Sequence, residues 1–225
     1  MKEYILESSH KIRKERNELD IHGKPFVFSV PFQNELDLPS VKNTLETLLP
    51  EHFFGNVDAF FVGFFKDFFK DGREYNAMFK DGAIYLSPNQ DNEKDLIDDI
   101  VHELAHSIED GYNNLIYGDG MLEREFIAKR KTLYYLLDKD EYNLQTYIDP
   151  GYNYKFDQYL YKDIGYDKLR TISSSLFYSP YAITSLREYW ANGFENYLLG
   201  NRQKLKDLSP ILYTKIEKIN DLEGE

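Results

Sequence analysis

Between residues 93 and 111 apolar side chains return every three or four positions: Leu96, Ile100, Leu104 and Ile108 form one row, and Ile97, Val101 and Ala105 fill the row beside it. That period winds one stripe around an α-helix. Asp91 or Asn92 is placed to cap it, Glu93 and Asp95 suit its first turn, and Gly111 reads as its stop. Upstream the apolar runs shorten to strand length. Residues 26–30 read as a strand closed by Pro31, residues 41–49 as a short helix with Ser40 as N-cap and Pro50 behind it, and the Phe-rich run 57–64 as a strand. Residues 77–87 read as a hairpin, because Asp81-Gly82 separates two short apolar runs and suits a type I′ turn. Residues 3–19 read as a charged helix of weak amphipathicity, either an exposed arm or a partner-binding element. After residue 111 the pattern is helical over roughly 120–137, 155–162, 166–175, 185–199 and 209–220, with Gly200 as a C-cap and Pro210 in a first turn.

Strands followed by helices give an α+β order. The expected architecture is a small twisted N-terminal β-sheet packed on the 93–111 helix, followed by a mostly helical C-terminal subdomain. Residues 1–50 are expected to form a helical and strand extension, and residues 51–225 the main domain. Of these segments, the hairpin arm 83–87, just ahead of the long helix, is the candidate sheet edge on which an extended peptide could add as another strand.

Composition narrows the chemistry. No run of about 18 apolar residues exists to span a bilayer. The N-terminal twenty residues are charged throughout and lack the apolar core of a signal peptide, which predicts a cytoplasmic or particle-associated location, with secretion by another route left open. With no cysteine among 225 residues, disulfides, thiolate metal sites and cysteine nucleophiles are excluded. A net charge of −12 argues against a nucleic-acid partner, since phosphate binding needs Lys and Arg to displace counterions. A protein or peptide is the expected partner.

The long helix carries His102-Glu103-Leu104-Ala105-His106, an H-E-x-x-H word. Residues four apart share a helix face, so both imidazoles can reach one metal ion, and Glu103, one step round, can address a water beside it as general base. A catalytic zinc takes three protein ligands and keeps one position open. Glu109 and Tyr112 stand where a metzincin needs Gly and His, and the other histidines, His10, His22 and His52, lie upstream. The third ligand must therefore be a carboxylate, and two compete. Glu125, with Glu123 beside it, follows His106 at a distance close to that in thermolysin-like enzymes. Glu188 opens the segment Glu188-Tyr189-Trp190-Ala191-Asn192-Gly193-Phe194, where Ser185-x-x-Glu188 also fits a capping box. Asp98, Asp99, Glu109 and Asp110 lie within helical reach of the two histidines, either as supports for them or simply as the wet face of the helix.

His-Glu-Leu-Ala-His, then Tyr181, then Glu188-Tyr-Trp-Ala-Asn-Gly-Phe resembles the catalytic domain of anthrax toxin lethal factor and its relatives, a gluzincin family that includes secreted Pro-Pro endopeptidases. The likeness covers roughly residues 57–199. It implies a zincin-like fold, a Zn2+ cofactor held by His102, His106 and Glu188, Glu103 as catalytic base, and Tyr181, seven residues before Glu188, as the second catalytic residue, which hydrogen-bonds the oxyanion. Asn192 stands where the family often has a second glutamate, and Gly193 where alanine is usual. The expected activity is zinc-dependent hydrolysis of peptide bonds in a protein substrate, as a toxin-like effector or a processing protease, phage-encoded ones included. The alternative is a weak or inactive zinc-binding homologue kept as a structural or interaction module.

Overall fold

Alternating burial along short strands builds the sheet. In the computed structural model, which describes residues 19–70, 73–137 and 142–222 together with 7–9, 11, 12 and 14, Phe60 and Val62 of β3 (Ala59–Val62) and Ile84 and Leu86 of β7 (Ala83–Leu86) are fully buried, while Phe61 and Tyr85 stack on the other face with ring centroids 5.3 Å apart. The charged helix expected over 3–19 lies mostly outside the described residues. The chain is α+β and divides into two compact units, the first ending at Gly111 and the second spanning Tyr112–Leu222.

In the first unit β1 (Asp20–Ile21), β2 (Lys24–Phe28), β3, β7 and β6 (Ala77–Lys80) form a five-stranded mixed sheet in the order β1-β2-β3-β7-β6. A separate pair joins β4 (Phe69–Lys70) to β5 (Arg73–Glu74). Strands β2, β3 and β7 run parallel, and β6 returns antiparallel along β7 through Asp81 and Gly82, whose φ of 50° and 76° are those of a type I′ turn. The edge assignment therefore changes: the arm 83–87 is interior, paired with β3 on one side and β6 on the other, and β6 is the edge strand. A hairpin pattern reveals two arms but not which one joins the rest of a sheet.

The strand expected over 26–30 starts two residues earlier, and the one over 57–64 is trimmed to four residues. Helix α1 (Leu38–Leu48) starts at Leu38 because the Asp37 carboxylate, not Ser40, caps it, accepting from the Ser40 amide, and Pro39 in the first turn needs no N–H partner. The long helix α2 (Glu93–Tyr117) begins as expected, with the Asn92 side chain accepting from the Asp95 amide at 3.1 Å. Its stripe of Leu96, Ile100, Val101, Leu104, Ala105 and Ile108 is buried. The helix does not stop at Gly111. It runs to Tyr117 with one non-helical residue, Tyr112, and the glycine serves packing, since a Cβ there would lie 3.0 Å from Asn56 Nδ2.

The second unit is helical: α3 (Met121–Leu136), α4 (Leu144–Ile148), α5 (Tyr154–Gln158) continued by a π-helical turn over Tyr159–Gly165, α6 (Tyr166–Ile172), α7 (Leu186–Leu198), α8 (Arg202–Leu208) and α9 (Pro210–Asn220). Phe126, Phe177, Tyr189, Trp190 and Phe194 are among its buried rings. Among them lies Lys129, whose Nζ donates to the carbonyls of Leu176 and Leu208 and to Ser209 Oγ at 2.6 to 2.8 Å, so that a cation closes the C-terminal end of α8. Burial lowers its pKa to about 8, against the opposing pull of Glu125. Among the described residues, no helix is long and apolar enough to cross a membrane.

Candidate metal centre

Helical spacing delivers the first half of the centre. His102 and His106 stand one turn apart on α2, their ring centroids 5.2 Å apart and their planes at 82°. His106 is 9% exposed, and its Nδ1 lies 2.9 Å from Glu109 Oε2. A carboxylate at that distance accepts, so Nδ1 is the donating nitrogen of this pair. Glu103 turns toward the sheet, where its Oε2 accepts the Phe79 amide of β6 at 2.6 Å. Glu103 thus sits at the free edge of the sheet. One turn before it, the Asp99 carboxyl is raised to about 6, first by burial and further by the Glu103 charge, while a hydrogen bond from Gln90 Nε2 works against the rise.

Glu188 occupies the first turn of α7. Ser185 is the N-cap, its hydroxyl accepting the Glu188 amide at 3.2 Å, so capping engages the backbone of Glu188. The capping reading of Ser185 and the ligand reading of Glu188 are thus compatible. Tyr181 opens the 3-10 turn Tyr181–Ile183 that leads into this cap and is half-buried. One helical turn after Glu188, Asn192 is 6% exposed, and its Oδ1 is buried without a hydrogen-bond partner among the described residues. At Gly193 an added Cβ would sit 2.7 Å from Leu212 Cγ, so glycine here lets α9 approach α7 closely.

Glu125, the rival carboxylate, has other work. Its Oε2 accepts the Ile211 amide at 2.9 Å, and its Oε1 accepts the Leu212 amide at 3.2 Å and the Tyr189 hydroxyl at 2.9 Å. It caps the N-terminus of α9, where unsatisfied amides and the helix dipole both favour an anion. Glu188, in contrast, falls into a group of possible ligands: one donor atom each from His102, His106 and Glu188 lies within 4.8 Å of the others. Two imidazole nitrogens and one carboxylate oxygen are a donor set that suits a borderline divalent cation and leaves a fourth position open. Sequence reasoning missed the Phe79 amide, since a main-chain group leaves no mark in residue identity. The support of His106 by Glu109 was one of four acidic candidates at helical spacing, and spacing could not choose among them. In comparisons with protein-family models, with curated proteins and with solved structures, nothing matches this chain.

Proposed function

We propose that the protein is a zinc-dependent endopeptidase acting on a protein substrate, with a zincin-like arrangement of sheet and H-E-x-x-H helix. The observation that carries this reading is the grouping of His102, His106 and Glu188 donor atoms within 4.8 Å, on a helix whose Glu103 reaches the sheet edge. Bound zinc would polarise a scissile carbonyl and bring the pKa of water toward about 7. Glu103 takes the proton from the attacking water and delivers it to the departing amine. The Tyr181 hydroxyl donates to the oxygen on which negative charge develops. Strand β6 replaces the 83–87 arm as the edge on which an extended peptide would lie, a reading supported by the hydrogen bond of Glu103 to the Phe79 amide of that edge.

The test combines metal analysis of the purified chain with cleavage of an unbiased peptide library. Zinc near one equivalent and cleavage that falls roughly 10²- to 10⁴-fold in Glu103→Gln, with zinc retained, are expected. Tyr181→Phe should lose roughly 10²- to 10³-fold while remaining folded. Loss of zinc in Glu103→Gln would contradict its role as base, and a folded chain that takes up no zinc would end the proposal.

A second reading is favoured by Asn192. Among the described residues its buried Oδ1 has no hydrogen-bond partner, where the resembled family often places a glutamate, and weakened support around metal ligands costs about 10- to 100-fold in affinity or activity. Under that reading the chain is a zinc-binding homologue of low turnover that serves as an interaction module. Zinc uptake without cleavage of any library peptide would select it.

A further inference from the structure

We propose that Glu109 is the positioning residue for His106, holding its ring as the Nδ1–H tautomer so that Nε2 faces the metal; this rests on the metal site proposed above. The two residues are three apart on α2, and their hydrogen bond is 2.9 Å long with side chains only 11% and 5% exposed. Burying a carboxylate is costly unless a donor meets it, and burying an imidazole leaves its tautomer to whatever group meets Nδ1. Here each solves the other's problem. A neutral imidazole in water exchanges its proton between both nitrogens, and only the Nδ1–H form offers Nε2 to a cation. The carboxylate removes the other form and, as an ionised acceptor, increases the electron density at Nε2. Of the neighbouring acids, Asp99 accepts from Gln90, and Asp110 is exposed at a polar cavity lined also by Asn56, Asp58 and Gly82.

Zinc sulfate affinity of the full chain, measured by competition with a chromophoric chelator at about pH 8, where free imidazole is neutral, tests the inference together with the His106 tautomer read by long-range 1H–15N NMR on the metal-free protein. The variants are Glu109→Met, Glu109→Gln and, as a control, Asp110→Asn. Glu109→Met is expected to bind zinc about 10- to 100-fold more weakly and to show both tautomers. Glu109→Gln keeps a neutral acceptor of nearly the same shape, and is expected to lose roughly three- to tenfold with the Nδ1–H form still dominant. Asp110→Asn should match wild type. Wild-type affinity in Glu109→Gln and Glu109→Met, or an unchanged Nδ1–H ring in Glu109→Met, overturns the inference while leaving the metal site standing. If Glu109→Met does not fold, the Glu109→Gln affinity decides alone. A wild-type chain that takes up no zinc fails both the site and the positioning role.

Discussion

Glu125 and Glu188 are both glutamates in helical sequence, and what separates them is what each carboxylate meets. Glu125 holds three donors, two of them the first amides of α9. Glu188 groups with two imidazoles. Their alanine variants should therefore fail in opposite ways. Glu125→Ala strands the amides of Ile211 and Leu212 and should cost about 1 to 3 kcal/mol in chemical denaturation while leaving zinc affinity near wild type. Glu188→Ala should weaken zinc binding severely. Equal effects of both on zinc uptake would refute the distinction. At this scale the two histidines were legible because four residues of helix fix their distance. Spacing left the third acid open between Glu125 and Glu188, because helix α9, which claims Glu125, lies 85 residues further along and nothing local announces it; only the resemblance pointed to Glu188.

Elements were legible where one physical signal dominated. Helix α2 follows from its stripe, and the 77–87 hairpin from its turn. Helix α8 did not show itself, since Arg202–Leu208 is charged and buries only Leu205, and α4 is five residues long, below what periodicity can register. Gly193 is an element-scale feature in the same sense, because only its packing explains it. Gly193→Ala should gain up to about 1 kcal/mol of helix propensity yet lose about 1 to 3 kcal/mol to the clash with Leu212, for a net fall in thermal midpoint. A double-mutant cycle with Leu212→Ala should show the two changes coupled. Lys129 of α3, whose ammonium binds the C-terminal end of α8, gives stability a pH dependence. Its folded pKa, about 8, lies below the ordinary value of 10.5, so the unfolded chain binds the extra proton between them. The cost is full below about pH 8 and is relieved as pH rises, with roughly 3 kcal/mol at stake across the whole interval. Tyr189, whose pKa burial raises, acts in the opposite sense above about pH 10, so denaturation between about pH 7 and 9.5 isolates the lysine. Stability should climb over the upper part of that window, and Lys129→Met should flatten the profile.

For the whole molecule, the α+β order was readable from the succession of short and long apolar periods. The order of strands was not, because pairing β3 with β7 across more than twenty residues depends on contacts that no local pattern encodes. The proposed metal binding must show in global stability, since a ligand held by the folded chain alone stabilises it by mass action. Zinc at 100 times its dissociation constant should add about 2.7 kcal/mol, and a chelator should remove that increment. An unfolding midpoint indifferent to both would count against the centre. The turn at Asp81-Gly82 has a consequence at this scale too. It pairs Phe79 with Ile84 and sets the Ser87 amide on the Asn76 carbonyl, and along an antiparallel ladder amides alternately face the partner and face away. Phe79 thereby aims its N–H outward, at Glu103. One residue inserted at the hairpin tip would reverse that alternation and offer the glutamate a blank stretch of backbone. A loop with no chemistry of its own is the ruler that decides where the motif's carboxylate comes to rest.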